Sequence, residues 1–223
     1  YSNGDCPSLL LENQSTNLIT YSEDFSNAYW SKIRTEITPN SIKSPNGYLN
    51  ASTLSVINAT GGEEFIRVLS SGANEATCSF YLKKGNWRYV AIRSVNISVF
   101  DFDTETFTLT GTNEILSFEK LKNGWYRLIA NSPTRTYCSI GFALNATSTS
   151  GSNQNGSNLY IFGAQLEENS YATSYIPTLT GTTQTRVAET CGGAGSSSSI
   201  NSEEGVLYAE ISALSDDKTN RVI

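Results

Sequence analysis

Asn158–Arg186, NLYIFGAQLEENSYATSYIPTLTGTTQTR, is the stretch whose reading decides the fold. It opens with an apolar strand, Leu159–Leu166. It turns through Glu167–Ser170 and leaves as an extended Tyr-rich segment closed by Pro177. A proline has no N–H to give to a ladder, and it holds the residue before it in an extended conformation. Tyr175-Ile176-Pro177-Thr178 is therefore expected to end a domain. Upstream the chain reads as strands of one body. Downstream it reads as a linker and a new beginning.

Upstream, short runs rich in β-branched and aromatic residues recur between turn residues. After the apolar Ser8–Glu12 and Asn17–Phe25, Ser26–Ser31 is expected to form one helical turn carrying Tyr29 and Trp30. Strands are expected at Ile33–Thr38, Ala51–Ile57 and Phe65–Ser70, with Pro39–Gly47 a loop. Ala76–Lys83 and Trp87–Ser94 alternate on either side of Lys84-Gly85-Asn86 and read as a hairpin. Val99–Phe102 and Phe107–Thr110 flank the acidic turn Asp103-Thr104-Glu105, and Ile115–Leu121 and Trp125–Asn131 flank Lys122-Asn123-Gly124. Tyr137–Leu144 is a further strand and Ala146–Ser157 a long polar loop. So many short strands, with almost no helical period, define an all-β chain folded as an antiparallel β-sandwich. Runs such as Trp125-Tyr126-Arg127-Leu128-Ile129 are apolar on both faces, which fits a sheet packed on one side and partly covered on the other.

Residues 179–204 have the Thr-, Gly- and Ser-rich composition of a linker, and Glu204–Ile211 alternates like a fresh strand. The organisation expected is a connecting segment over 1–16, the sandwich over 17–178, a linker over 179–204 and the first strand of a truncated second β domain over 205–223. The absence of Met suggests an internal fragment, and the polar Tyr1–Asp5 predicts no secretory signal.

The chain carries a formal charge of −6 at pH 7, which argues against nucleic acid as a partner. No run of apolar residues is long enough to predict membrane insertion. His is absent, which removes the usual general base and the commonest metal ligand. No phosphate loop, nucleophile elbow or Cys-pair metal motif is present, so no enzyme and no cofactor are expected. Cys78 and Cys138 each share a strand face with apolar residues and read as small buried hydrophobes, a bridge between them being the alternative. Cys6 and Cys191 bracket the sandwich, and a disulfide joining them would tie its ends together.

Trp87, Tyr89 and Arg93 fall at alternate positions of one run, on the face opposite Val90 and Ile92. Aromatic rings stack on the C–H faces of sugars and guanidinium bonds hydroxyls, so these three are glycan-binding candidates, with Tyr29 and Trp30 a second pair. The competing reading packs these rings under a loop or against another subunit, and plugs the end of the sandwich with the Tyr29–Trp30 turn. Asp101, Asp103 and Glu105 fall on one side of a strand and its turn and form a weak Ca²⁺ candidate; a solvated face is the ordinary reading.

Four segments carry a resemblance: Cys6–Glu12, Asn17–Phe25, Asn123-Gly124-Trp125-Tyr126-Arg127, and Gly163–Glu167 with Tyr171–Thr178. Together they resemble the carbohydrate-binding-module-like jelly-roll domain of bacteriophage tail-fibre and other virion appendage proteins. Asn201–Glu210 is similar to the segment that opens a concanavalin-like lectin domain in such fibres. The resemblance implies a jelly roll on a virion tail or head fibre, other virion subunits as partners, a homotrimer, and adsorption to host cell-surface glycan. Its alternatives are a ligand-free assembly module of the virion and a carbohydrate-binding module of a secreted bacterial protein.

Overall fold

The computed structural model describes residues 11–59, 62–69, 74–93, 97–109, 114–134, 137–148 and 155–190. Its strands are β1 (Ser15–Asn17), β2 (Ser31–Ile33), β3 (Thr35–Ile42), β4 (Ala51–Val56), β5 (Phe65–Leu69), β6 (Ala76–Lys84), β7 (Tyr89–Arg93), β8 (Ile97–Asp101), β9 (Thr106–Leu109), β10 (Ile115–Lys120), β11 (Trp125–Ser132), β12 (Tyr137–Phe142), β13 (Asn158–Glu167) and β14 (Gln184–Arg186). Sheet I has the order β10-β11-β6-β13-β4-β3 and sheet II the order β2-β5-β12-β7-β8-β9, each antiparallel throughout. The two face each other as a β-sandwich of jelly-roll type. Among the described residues no helix is long and apolar enough to cross a membrane.

The core forms where the period-2 alternation of both sheets points inward. Cys78, Phe80 and Leu82 of β6 and Leu159 and Ile161 of β13 meet Ile92 of β7 and Ile140 of β12 in one cluster. Phe100 stacks with Phe102, Phe107, Phe118 and Tyr126 at centroid separations of 5.0–5.6 Å. Cys78 and Cys138, expected as separate hydrophobes, are joined by a disulfide across the core, with Cα atoms 6.0 Å apart. The strand phases were right, but only the sandwich shows that the two positions oppose each other.

Three expectations about connection change. Ile33–Thr38 is two strands, not one: Arg34, at φ 51°, turns the chain out of sheet II and into sheet I. Pro39, expected in a loop, lies within β3, where the register shifts between Thr38 and Ile42; β3 is an edge strand, and an edge tolerates a missing N–H. Ala76–Lys84 and Tyr89–Arg93 do not form a hairpin. The first lies in sheet I and the second in sheet II, and Gly85 between them lies so close to Asn158 that a Cβ would collide with it. Alternation on both sides of a turn looks the same for a hairpin and for an arch between sheets. The β8–β9 and β10–β11 hairpins form as expected.

The compact unit runs from Ser15 to Arg186. Residues 184–186, expected as linker, pair with Ser15–Asn17 as β14 against β1. A separate unit comprises Tyr1–Gln14 and Val187–Ile223; within it Glu189 N–H donates to Glu12 O at 2.9 Å and Glu12 N–H to Glu189 Oε2 at 3.2 Å. The Cys6–Cys191 bridge and the strand over 205–223 lie outside the described residues.

Candidate functional site

The structure does not bring the sequence-predicted aromatic platform together. Tyr89, Ala91 and Arg93 share the outer face of sheet II, but Trp87 lies before β7 on the crossing segment. Its ring packs against the core edge and its indole N–H donates to Ala143 O at 2.8 Å. Arg93 is turned along the sheet, its side chain only 9% exposed, and pairs with Glu63 at 2.5 Å. Trp30 is 2% exposed, packed on Phe25, with its N–H on Tyr21 O, which leaves no face for a ligand. Tyr29 is half-buried, edge-on to Trp30. Overlapping turns, not a helix, hold this pair: Asn27 N–H donates to Asp24 O and Trp30 N–H to Asn27 O.

The acidic trio is divided among cations rather than gathered around a void. Asp101 takes both Nε and Nη2 of Arg88, each at 2.6 Å, and this pairing holds its carboxyl at a pKa of about 2. Asp103 faces Lys84 at 2.5 Å, and Glu105 faces Lys120 at 2.5 Å and the Tyr126 hydroxyl at 2.9 Å. Carboxylates held by ammonium and guanidinium groups do not form a hard-oxygen cage. Among the described residues no group of three or more metal-ligating side chains converges.

The outer face of sheet I is organised by Gly163. At φ 53° it is the extra residue of a β-bulge in β13, where the register against β6 shifts between Phe162 and Ala164. One inserted residue reverses the phase of every side chain beyond it. Tyr160 and Phe162 point outward before the bulge, and Gln165 and Glu167 point outward after it, leaving Ala164 and Leu166 to the core. A Cβ at position 163 would lie 2.9 Å from the Tyr81 ring and 3.1 Å from the Tyr175 ring.

Beyond the bulge, Gln165 and Glu167 anchor a strap formed by residues 168–178. Gln165 Oε1 accepts Ile176 N–H at 2.7 Å, and Glu167 accepts Thr173 N–H at 3.1 Å and the Ser15 hydroxyl at 2.6 Å. Arg127 donates to Thr173 O at 2.7 Å. Asn17, fully buried, donates to Ala164 O and Ile176 O and accepts from Ile19 N–H and Leu166 N–H. Buried polar groups are tolerated because each is bonded in this way. Tyr175 ends the strap over Tyr81 and Phe162, at 5.7 and 5.8 Å, with its hydroxyl 2.7 Å from Ser22 Oγ. Burial raises the Tyr175 pKa far above the ordinary phenol value, so it stays protonated.

Next to this covered half lies a row that crosses the sheet at right angles to the strands. The register aligns Trp125, Lys83, Tyr160, Thr53 and Thr38 on four strand pairs. Trp125 is 1% exposed, whereas Lys83, Tyr160 and Thr53 are half-exposed and Thr38 is more open. Trp125 and Phe162 form an aromatic cluster on this outer face, with Tyr160, Tyr81 and Tyr175 packed against it. In register, Tyr160 sits between Lys83 on one side and Thr53 on the other, Thr53 being joined by Ser41 at 2.6 Å. Sequence reading missed this row. Its signal was the phase of Tyr160 and Phe162 against Leu159 and Ile161, but the neighbours on β4 and β6 come only from the register.

No family model and no curated protein matches the chain. Among solved structures it is similar to a variant of a family 29 carbohydrate-binding module, with 9% identity and a TM-score of 0.39 over 70% of this chain and 93% of that one. A second variant of that module, complexed with cellulohexaose, gives 10% identity and a TM-score of 0.38 over 70% and 93%. The carbohydrate-binding module 22-1 and catalytic modules of Clostridium thermocellum xylanase 10B give 14% identity and 0.39, over 74% of this chain and 30% of that one. At these TM-scores the likeness carries no argument about a ligand.

Proposed function

We propose that the Ser15–Arg186 sandwich is a non-catalytic glycan-binding module whose ligand lies along the Lys83–Tyr160–Thr53 row. The observation that carries this is the row itself. It is an aromatic ring on an outer sheet face, packed among further aromatic rings of that face and set at strand spacing between a lysine and a threonine. A sugar ring offers C–H groups to such a face and hydroxyls to such neighbours. Tyr160→Ala is expected to weaken binding of the strongest glycan-array ligand roughly tenfold, the equivalent of about 1.4 kcal/mol, with thermal unfolding little changed. Unaltered binding in that variant would reject the site. Because the acidic trio is engaged by cations, EDTA is expected to leave binding unchanged, which the same array checks.

The finer part of the proposal puts this module on a virion appendage, as a homotrimer that contributes to host attachment. Its support is the set of sequence motifs that resemble such proteins. Light scattering on the purified chain tests it: a trimeric mass supports the reading, and a monomer at high concentration opposes it. A trimer that binds no glycan would favour the assembly module.

A further inference from the structure

The two halves of the outer face of sheet I differ in how their polar side chains are occupied. Under the strap they are engaged: Gln165 accepts Ile176 N–H, Glu167 accepts Thr173 N–H, and Arg127 donates to Thr173 O. Beside the strap, on the β4 and β3 side of Tyr160, they are open. Among the described residues no hydrogen bond or ion pair engages the side chains of Ser55, Thr38 and Glu36 or the Tyr160 hydroxyl.

Alternation fixes where Glu36 lies. Ile37 belongs to the core, and the buried Thr35 donates its hydroxyl to Phe65 O of sheet II, so Glu36 and Thr38 point to the outer face. Leu54 and Val56 belong to the core, which turns Thr53 and Ser55 outward on β4. The register pairs Glu36 with Ser55 and Ser55 with Asn158, one row along the strands from Thr38, Thr53 and Tyr160. Glu36 is exposed and Ser55 half-exposed. On the other side of Tyr160, Lys83 leans towards β11, its Cε 3.8 Å from where a Cβ at Gly124 would lie. The Glu36 carboxylate is therefore the one charge that β13, β4 and β3 place on the open half beside Tyr160. Elsewhere on the described surface carboxylates close to cations are paired, Asp103 with Lys84, Asp101 with Arg88 and Glu105 with Lys120.

An ionised carboxylate only accepts hydrogen bonds, and its two oxygens can take two neighbouring hydroxyls of one sugar. Bonds to a charged acceptor are stronger than those between neutral groups. The same charge repels an anionic ligand, in a chain whose formal charge is already −6.

We propose that Glu36 is the specificity-determining residue of this face. It accepts a pair of neighbouring hydroxyls from a neutral oligosaccharide that crosses the strands from Tyr160 towards β3, and it excludes saccharides that carry a carboxylate there. Ser55 and Thr38 supply hydroxyls that can donate or accept along the way. The proposal rests on the glycan-binding reading of the Tyr160 row and adds the class of glycan.

The test is calorimetric titration of the full chain with cellohexaose, maltohexaose and mannohexaose, and with oligogalacturonate as the acidic reference, thermal unfolding being recorded for each variant. At least one neutral hexaose is expected to bind more tightly than oligogalacturonate. Glu36→Gln is expected to weaken that hexaose roughly fivefold and to narrow its lead over oligogalacturonate, and Glu36→Lys to reverse the preference. Glu36 is exposed on an edge strand, so both variants are expected to unfold at the wild-type temperature. Unchanged hexaose affinity and unchanged preference in Glu36→Gln, with binding lost in Tyr160→Ala, would overturn the role of Glu36 and leave the row standing. Binding unchanged in Tyr160→Ala would reject the row itself. A wild-type chain that prefers oligogalacturonate, or that binds none of the neutral hexaoses, would overturn the proposal.

Discussion

Asp101 shows how one side chain couples this surface to pH. Its carboxyl, ordinarily near 3.8, is held at about 2 by the Arg88 guanidinium. A carboxyl depressed on folding stabilises the fold fully above about pH 4 and loses that stabilisation as pH falls towards 2. Thermal unfolding is therefore expected to drop across that window, and Arg88→Gln to flatten the drop. The Cys78–Cys138 bridge closes a sequence separation of 60, for which the chain-entropy relation gives about 4 kcal/mol. Urea unfolding with and without reductant measures it, and an unchanged midpoint would contradict the bridge. At this scale the sequence was legible in phase but not in partner. Cys78, Cys138, Val90 and Ile92 face the core as alternation requires. Trp87, Trp30 and Arg93 look like ligand residues in one dimension, yet they are claimed by Ala143 O, Tyr21 O and Glu63, all distant in sequence or outside the strand pattern.

The elements that matter most are β13, its bulge and the strap. β13 was read correctly as a strand, and its exit was read as an extended Tyr-rich segment that ends the domain. That this exit folds back onto sheet I was not legible, because its anchors are side-chain hydrogen bonds to Asn17, Arg127, Gln165 and Glu167 rather than a residue pattern. Asn17→Ala removes four side-chain hydrogen bonds, one of them to the strap, and leaves buried partners unsatisfied, at an expected cost of about 3 kcal/mol, read as a lower urea midpoint. Gly163→Ala places a Cβ against the Tyr81 ring at a positive φ and is expected to cost about 2 kcal/mol. If the bulge instead tolerates alanine with no loss, it does not fix the phase of Gln165 and Glu167. The arch between β6 and β7 carries the same lesson: its alternation was legible, but its sheet membership follows from pairing with β11 and β13 on one side and β12 and β8 on the other.

For the whole molecule, the all-β class and the sandwich were legible because strand length, turn residues and alternation all agree. The sheet order was not, since twelve strands must be assigned across two layers before any row of side chains exists on an outer face. The strap covers one half of sheet I with satisfied polar groups, and the half beside it presents Tyr160 between Lys83 and Thr53. The most direct measurement is an amide and side-chain NMR titration of the full chain with its strongest neutral glycan-array ligand. The account predicts shift changes centred on Lys83, Tyr160 and Thr53, with the strap residues Thr173 and Ile176 undisturbed. Changes confined to another face, or no saturable change with any glycan, would contradict it.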